Sequence, residues 1–412
     1  MLKRIKVEQL TLGMHLKKFC GSWLDHPFFR NSFVLTDPQD IEAILASNIK
    51  EVWIDCEKGL DVVTAEETIS EAESEAQLED ELKQVASGQR QAMRVPAAQE
   101  IARAAKICLR SKESVMAMFE DVRMGRLVEM GGAKLVVDEI ASSIVRNPGA
   151  LISLVRIKEA DNYTYMHSVA VCAMMVALAK QLGWDEDRTR SAGLAGLLHD
   201  LGKAVTPPEI LKKPAKLTDA EFGIMKGHSA EGYKLLLSGA SNDPMVMDVC
   251  LHHHERMDGL GYPDRLQGEQ ISLAARMGAV CDVYDAITSN RRYKLGWDPS
   301  ESLRQMAQWV NGHFDPKVFQ AFVKSMGIYP VGSLVRLSSG RIGVVTEQTD
   351  RSLIMPIVKV FFSIESNMRI EPQIVDLSQP GVTEKITQRE DPANWYSPEI
   401  NELWSGLPQS SW

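Results

Sequence analysis

The chain has 412 residues, 44% hydrophobic and 25% charged, with a formal net charge of −9. That length suits two or three soluble domains, and the acidic balance argues against a protein that grips DNA through a basic face. No apolar run approaches the roughly 18–20 residues of a membrane span, and Met1 to Gln9 lack a signal-peptide core. The six cysteines are scattered without a Cys-x-x-Cys pair, which points to reduced thiols in a cytoplasm.

From Lys3 to about Val63 strands alternate with turns: Ile5, Val7, Leu10 and Leu12, then Phe33-Val34-Leu35, then Glu51 to Asp55. Between the last two, Asp37-Pro38 opens a helix running to Ser47, as N-cap and first helical residue. Residues 1–64 therefore read as a small α+β module, in which His15 and His26 have no partner at ligand spacing. Residues 65–95, dense in acids such as Glu66, Glu67, Glu73 and Asp80, read as a solvated linker. Ile101, Ala104, Cys108, Val115 and Phe119, then Val136, Ile140 and Ile144, recur at helical spacing, so 96–149 supply lead-in helices.

From Ala150 to Met326 the pattern is helical almost throughout. Asp185 opens a helix running to Leu198, and Thr218 with Glu221 forms a capping box for the helix expected to carry His228. Ala274 to Thr288 is another helix, and Asp315-Pro316 caps the last one. Beyond Tyr329-Pro330 the period becomes two, with strands at Leu334 to Leu337, Gly343 to Thr346 and Ile357 to Phe362. Ser338 to Arg341 makes the first hairpin turn, while Gln379 to Trp412, with scattered tryptophans, is expected to lie over another surface. The fold class is thus mainly α over 150–326, with the small α+β module before it and a β-rich extension over 327–412.

The chemistry gathers around Leu197 to Lys203 (Leu-Leu-His-Asp-Leu-Gly-Lys). Six of the nine histidines (His167, His199, His228, His252, His253, His254) fall between residues 167 and 254. A lone histidine on an apolar helix is usually a hydrogen-bonded core residue. An adjacent His199-Asp200, an adjacent His253-His254 and a late Asp282 reverse that reading. Asp282 has Gly278, Ala279 and Ala286 as helical neighbours, a face shaped for close packing, where an unpaired carboxylate would be costly. Mixed imidazole and carboxylate ligation suits iron or manganese, and also zinc or nickel. With enough ligands for two ions, Asp200 is the natural bridge, and such a pair can activate water against a phosphodiester.

His199-Asp200 with Lys203, followed by His253-His254-Glu255-Arg256-Met257-Asp258-Gly259-Leu260-Gly261-Tyr262-Pro263, resembles the HD-GYP branch of the HD phosphohydrolases. The resemblance covers about residues 150–325 and takes in Ile210 to Thr218 and Asp282-x-x-Asp285-Ala286-x-Thr288-Ser289. Leu12-Gly13-Met14 and Trp23 to Phe28 are similar to a domain of unknown function, DUF3391, often attached to such proteins. The family implies a bacterial enzyme that hydrolyses cyclic di-GMP to pGpG and/or GMP. Carried over residue by residue, it implies His167, His199, Asp200 and Asp282 around one ion, and Asp200, His228, His253 and His254 around the other. Lys203 would polarise or protonate a phosphate oxygen, Arg291 and Lys294 would grip phosphate, and Tyr262 would shape the turn or meet a guanine. His252 has no counterpart in the family and is expected outside the ligand set.

Some relatives hold a third metal through a glutamate four residues before the first histidine. That position is Tyr163 here, so two metals are expected, with Glu159 and Asp161 as the nearby acids able to substitute. The alternative function is an adaptor whose output is binding to a diguanylate cyclase or another signalling protein rather than hydrolysis. The lead-in helices offer a means of pairing two subunits into a homodimer.

Overall fold

The computed structural model describes residues 2–20, 32–47, 49–62, 69–70, 73, 76–77, 80, 95–157, 163–213, 215, 217–239, 243–289, 296–310, 312–395 and 399–408. They fall into two compact units, residues 1–84 with 304–313, and residues 85–303 with 314–412.

In the first unit, strands β1 (Leu2–Lys6), β2 (His15–Cys20) and β3 (Phe33–Val34) precede helix α1 (Pro38–Leu45). Strands β4 (Glu51–Asp55) and β5 (Ile69–Ser70) follow, giving an antiparallel sheet of order β3-β2-β4-β1-β5. Ile5, Leu16, Val52 and Ile54 from the strands meet Met14, Leu35 and Ile44 in one apolar core. Asp37 caps α1 by accepting a hydrogen bond from the Gln39 amide, which satisfies one of the helix's orphan donors. His26 and the Trp23 to Phe28 segment lie outside the described residues.

The second unit opens with α2 (Ala97–Arg123), α3 (Met130–Arg146), α4 (Pro148–Arg156), α5 (Tyr163–Gln181) and α6 (Glu186–Leu198). A 3-10 turn (Leu201–Val205) and the short α7 (Pro208–Leu211) lead to α8 (Asp219–Lys226), α9 (His228–Ser238) and α10 (Pro244–His252). Then come α11 (Leu273–Thr288), α12 (Pro299–Ala307), whose residues from Arg304 onward are grouped with the first unit, and α13 (Pro316–Met326). An antiparallel sheet follows from β6 (Leu334–Leu337), β7 (Arg341–Glu347), β8 (Ile357–Ser363), β9 (Met368–Asp376) and β10 (Ile386–Arg389). Its order is β10-β6-β7-β8-β9, and two short helices, α14 (Pro392–Trp395) and α15 (Glu399–Ser405), end the described chain.

Helix α5 is the centre of this unit. Every residue from Met166 to Ala179 is buried, as expected for a helix apolar on all faces. Helices α4, α6, α11 and α13 pack around it. Each fully buried valine or leucine there contributes about 1.5–3 kcal/mol relative to exposure. A polar clamp joins α2 to α3: Glu100, buried, accepts from Arg146 at 2.7 and 2.8 Å and from Ser143 Oγ at 2.8 Å.

The final stretch is more regular than its composition suggests. Ile386–Arg389 pairs with β6 as the edge strand β10, so part of it completes the sheet instead of covering it. That sheet is tied to the helices by Glu347, which accepts from the Ala97 amide at 2.8 Å and from Asn147 Nδ2 at 3.1 Å.

Candidate metal centre

Five helix ends and faces deliver the site. His167 projects from the first half of α5, and Asp282 from the middle of α11. Helix α6 ends at Leu198 with His199 as its C-cap, so Asp200, the N-cap of the 3-10 turn, leaves the helical path. The helix that Thr218 caps, α8, does not carry His228 as the sequence suggests: it ends at Lys226, the helical run breaks at Gly227, and His228 is the first residue of α9, while His253 and His254 follow the end of α10. Gly202 makes this convergence sterically feasible. A Cβ at that position would lie 1.8 Å from the His228 carbonyl oxygen and 2.5 Å from the Gly232 amide nitrogen. Only glycine lets α9 come so close to the turn that carries Asp200.

The side chains meet in two groups able to hold metal ions: His167, His199 and Asp282 in one, Asp200, His228, His253 and His254 in the other. Asp200 lies between them. Its Oδ2 is 3.5 Å from His167 Nε2 and 3.4 Å from His199 Nε2. Its Oδ1 is 3.2 Å from His228 Nε2 and 3.8 Å from His253 Nε2. One carboxylate thus offers a different oxygen to each group. Asp282 Oδ1 approaches His167 Nε2 at 2.9 Å, and its Oδ2 lies 3.8 Å from His254 Nδ1.

The remote nitrogens fix the direction of four rings. His199 Nδ1 donates to the Gly196 carbonyl at 2.8 Å, His228 Nδ1 to Met225 at 2.7 Å, and His253 Nδ1 to Val249 at 3.0 Å. His167 Nδ1 donates instead to Asp285 Oδ2 at 2.6 Å. Because a carbonyl can only accept, a neutral ring in this arrangement must present an Nε2 lone pair to the centre. His228 Nε2 and His253 Nε2 then face each other at 3.4 Å, and His199 Nε2 and Asp200 Oδ1 are buried without a hydrogen-bond partner. Opposed lone pairs and orphaned buried acceptors are costly unless a cation lies among them. The donor set therefore fits divalent metal ions.

Electrostatics agrees. Burial opposes the charge of Asp200, but Lys203 and His199 outweigh it and hold the carboxyl well below the usual range. Asp282 is likewise held low, burial being outweighed by His167 and His199. Burial disfavours a charged His199, yet Asp200 and Asp282 push it up to about 10, the mark of a position that attracts positive charge. His253 is driven down to about 3 by burial and by His199 and His228, which keeps it in the neutral, metal-binding form.

Around the centre, Lys203 Nζ lies 2.5 Å from Asp200 Oδ2. Tyr262 stacks on His254 with ring centroids 4.7 Å apart. Tyr163 presents a ring, stacked on His167 at 5.6 Å, and no carboxylate. His252 faces elsewhere, its two nitrogens engaged by Asp248 at 2.7 Å and Asp264 at 3.0 Å. Arg291 and Lys294, and also Glu159 and Asp161, lie outside the described residues.

Two further residues matter that sequence reasoning left without a role. Asp285 orients His167, and the signal for it was present: a carboxylate three residues after Asp282, on the same helical face. Glu255 is buried and accepts from the Asp264 amide at 2.7 Å and the Leu266 amide at 3.0 Å, which shapes the turn carrying Tyr262. These backbone contacts leave no trace in residue type or spacing.

Comparison with known proteins agrees with this arrangement. The model of a domain of unknown function, DUF3391, matches residues 2–133, and the model of the HD domain matches residues 136–318. A cyclic di-GMP phosphodiesterase of Pseudomonas aeruginosa is 53% identical over 412 residues, covering 100% of this chain and 97% of the relative. A cyclic di-GMP phosphodiesterase response regulator of Xanthomonas campestris is 43% identical over 149 residues, 36% of this chain and 39% of its own. A 3'3'-cGAMP-specific phosphodiesterase of Vibrio cholerae is 34% identical over 197 residues, 48% of this chain and 44% of the relative. Matched from end to end by so similar a relative, the chain belongs to the HD-GYP family of HD-domain phosphohydrolases that carry an N-terminal DUF3391 module.

Proposed function

We propose that this protein is a metal-dependent phosphodiesterase that hydrolyses cyclic di-GMP to pGpG, GMP or both. The observation that carries the reading is the position of Asp200, whose two oxygens face separate sets of histidines. The full-length relative, itself a cyclic di-GMP phosphodiesterase, directs that chemistry to this substrate. Two divalent ions, iron or manganese before nickel or zinc, would activate a water and stabilise the departing oxygen.

The chain's own residues do the rest. His167, His199 and Asp282 form one half of the site, His228, His253 and His254 the other, and Asp200 joins them. Lys203 sits on the bridging carboxylate and is within reach of a phosphate oxygen placed there, where it neutralises charge or supplies a proton. Arg291 and Lys294 are assigned to gripping phosphate from the segment after α11. Tyr262, packed on His254, is assigned to shaping the turn or to meeting a guanine. Among the described residues no helix is long and apolar enough to cross a membrane, in keeping with our assignment of the enzyme to the bacterial cytoplasm. Residues 1–64 and 96–149 are assigned to regulation, by pairing two subunits or by docking a diguanylate cyclase.

The test is chromatography of cyclic di-GMP after incubation with protein purified without oxygen and supplied with iron(II) or manganese(II). The reading requires pGpG or GMP from the intact protein and neither from a His199→Ala/Asp200→Ala variant. Binding without turnover under every metal would favour the adaptor function instead.

A further inference from the structure

Lys226 is a second cation beside the metal centre, placed differently from Lys203. It is the last residue of α8, two positions before His228. Its Nζ lies 4.6 Å from the centre of the Phe222 ring and 5.3 Å from that of Tyr262, and Tyr262 in turn stacks on His254. The ammonium is therefore one aromatic ring removed from the metal-ligating set, whereas Lys203 touches the bridging carboxylate directly.

Two aromatic faces fix where that ammonium sits without neutralising it. Among the described residues no carboxylate pairs with it and no protein acceptor takes its protons. The neighbouring Lys213, in contrast, is spent on Glu221 at 2.5 Å. Lys226 as a whole is half-buried, neither enclosed in the core nor free of contacts.

A cyclic dinucleotide carries two phosphodiesters on opposite sides of one ring. When one lies over the metal centre the other must rest several ångströms away. Resting on the function proposed above, we infer that Lys226 binds the phosphodiester that is not being cleaved, with Phe222 and Tyr262 holding its ammonium in place. Lys226 is thus a specificity residue that separates cyclic dinucleotides from simple phosphodiesters.

The test compares two ligands in the full-length, manganese-loaded protein. One is a slowly cleaved phosphorothioate analogue of cyclic di-GMP, whose dissociation constant is measured by calorimetry. The other is bis(p-nitrophenyl) phosphate, with a single phosphodiester, whose hydrolysis is followed by colour. Lys226→Gln should weaken the analogue about tenfold, the effect of losing one charge-assisted contact, and reduce kcat/KM for the simple diester far less. Lys226→Arg should recover most of the lost affinity, and raising the salt should weaken the analogue less in Lys226→Gln than in the native protein. Equal losses on both ligands, or native affinity in Lys226→Gln, would overturn the inference. The calorimetric ratio decides this even if cyclic di-GMP is bound and not cleaved, an outcome that would instead defeat the phosphodiesterase reading.

Discussion

Asp285 accepts a 2.6 Å hydrogen bond from His167 Nδ1, and this single contact sets the direction in which His167 faces Asp200 and Asp282. A carboxylate behind an imidazole both fixes the tautomer and raises the ring's basicity. Asp285→Asn keeps the shape but removes the charge. Metal affinity, read by competition with a chelator, should fall about 10–100-fold. Native affinity in this variant would show that His167 needs no such support.

Gly202 makes a second prediction. Gly202→Ala would drive a Cβ into the His228 carbonyl, a backbone atom that cannot yield without moving α9. We expect a loss of more than about 2 kcal/mol in denaturant unfolding, together with weakened metal retention. Gly223→Ala is the control, because nothing lies within 4 Å of its added Cβ and it sits inside α8, where alanine is the better helix former.

The clamp between α2 and α3 makes stability depend on pH. Burial opposes the charge of Glu100, but Arg146 and Ser143 outweigh it, and its carboxyl is held below the ordinary value. A folded-state value below the unfolded one means the contribution is present above the unfolded value near 4.5 and lost as pH falls through the folded value. Glu100→Gln should cost about 3 kcal/mol at neutral pH. The difference from the native protein should shrink as the pH is lowered below about 4.5. A gap that widens under acid would contradict the assignment.

His252 is the negative control within the histidine cluster. Its nitrogens are taken by Asp248 and Asp264, so His252→Gln should keep the native metal content by elemental analysis, while His253→Gln should lower it. Equal losses would mean that the adjacent pair acts as one unit.

Much of this was legible in the sequence, for physical reasons. The candidate ligands, histidines and carboxylates, are few in type and costly to bury without partners, so their clustering on apolar helices stands out in the sequence. Asp37, Thr218 and Asp315 cap helices where their side-chain chemistry places them. What stayed hidden depends on tertiary approach. Strand β9 exposes most of its residues and shows no alternation to read, and β10 is only four residues long. The amides gathered by Glu255, the packing that demands Gly202 and the Tyr262 ring beneath Lys226 arise only once the chain has folded.

The most direct test of the account is electron paramagnetic resonance, with metal counting, on the protein loaded with manganese(II). A carboxylate that gives one oxygen to each of two ions should hold them as a magnetically coupled pair. Two ions per chain with a coupled signal, and loss of that coupling in Asp200→Asn, is the result the account predicts. One ion per chain, or two with only isolated-ion signals in the native protein, would contradict it.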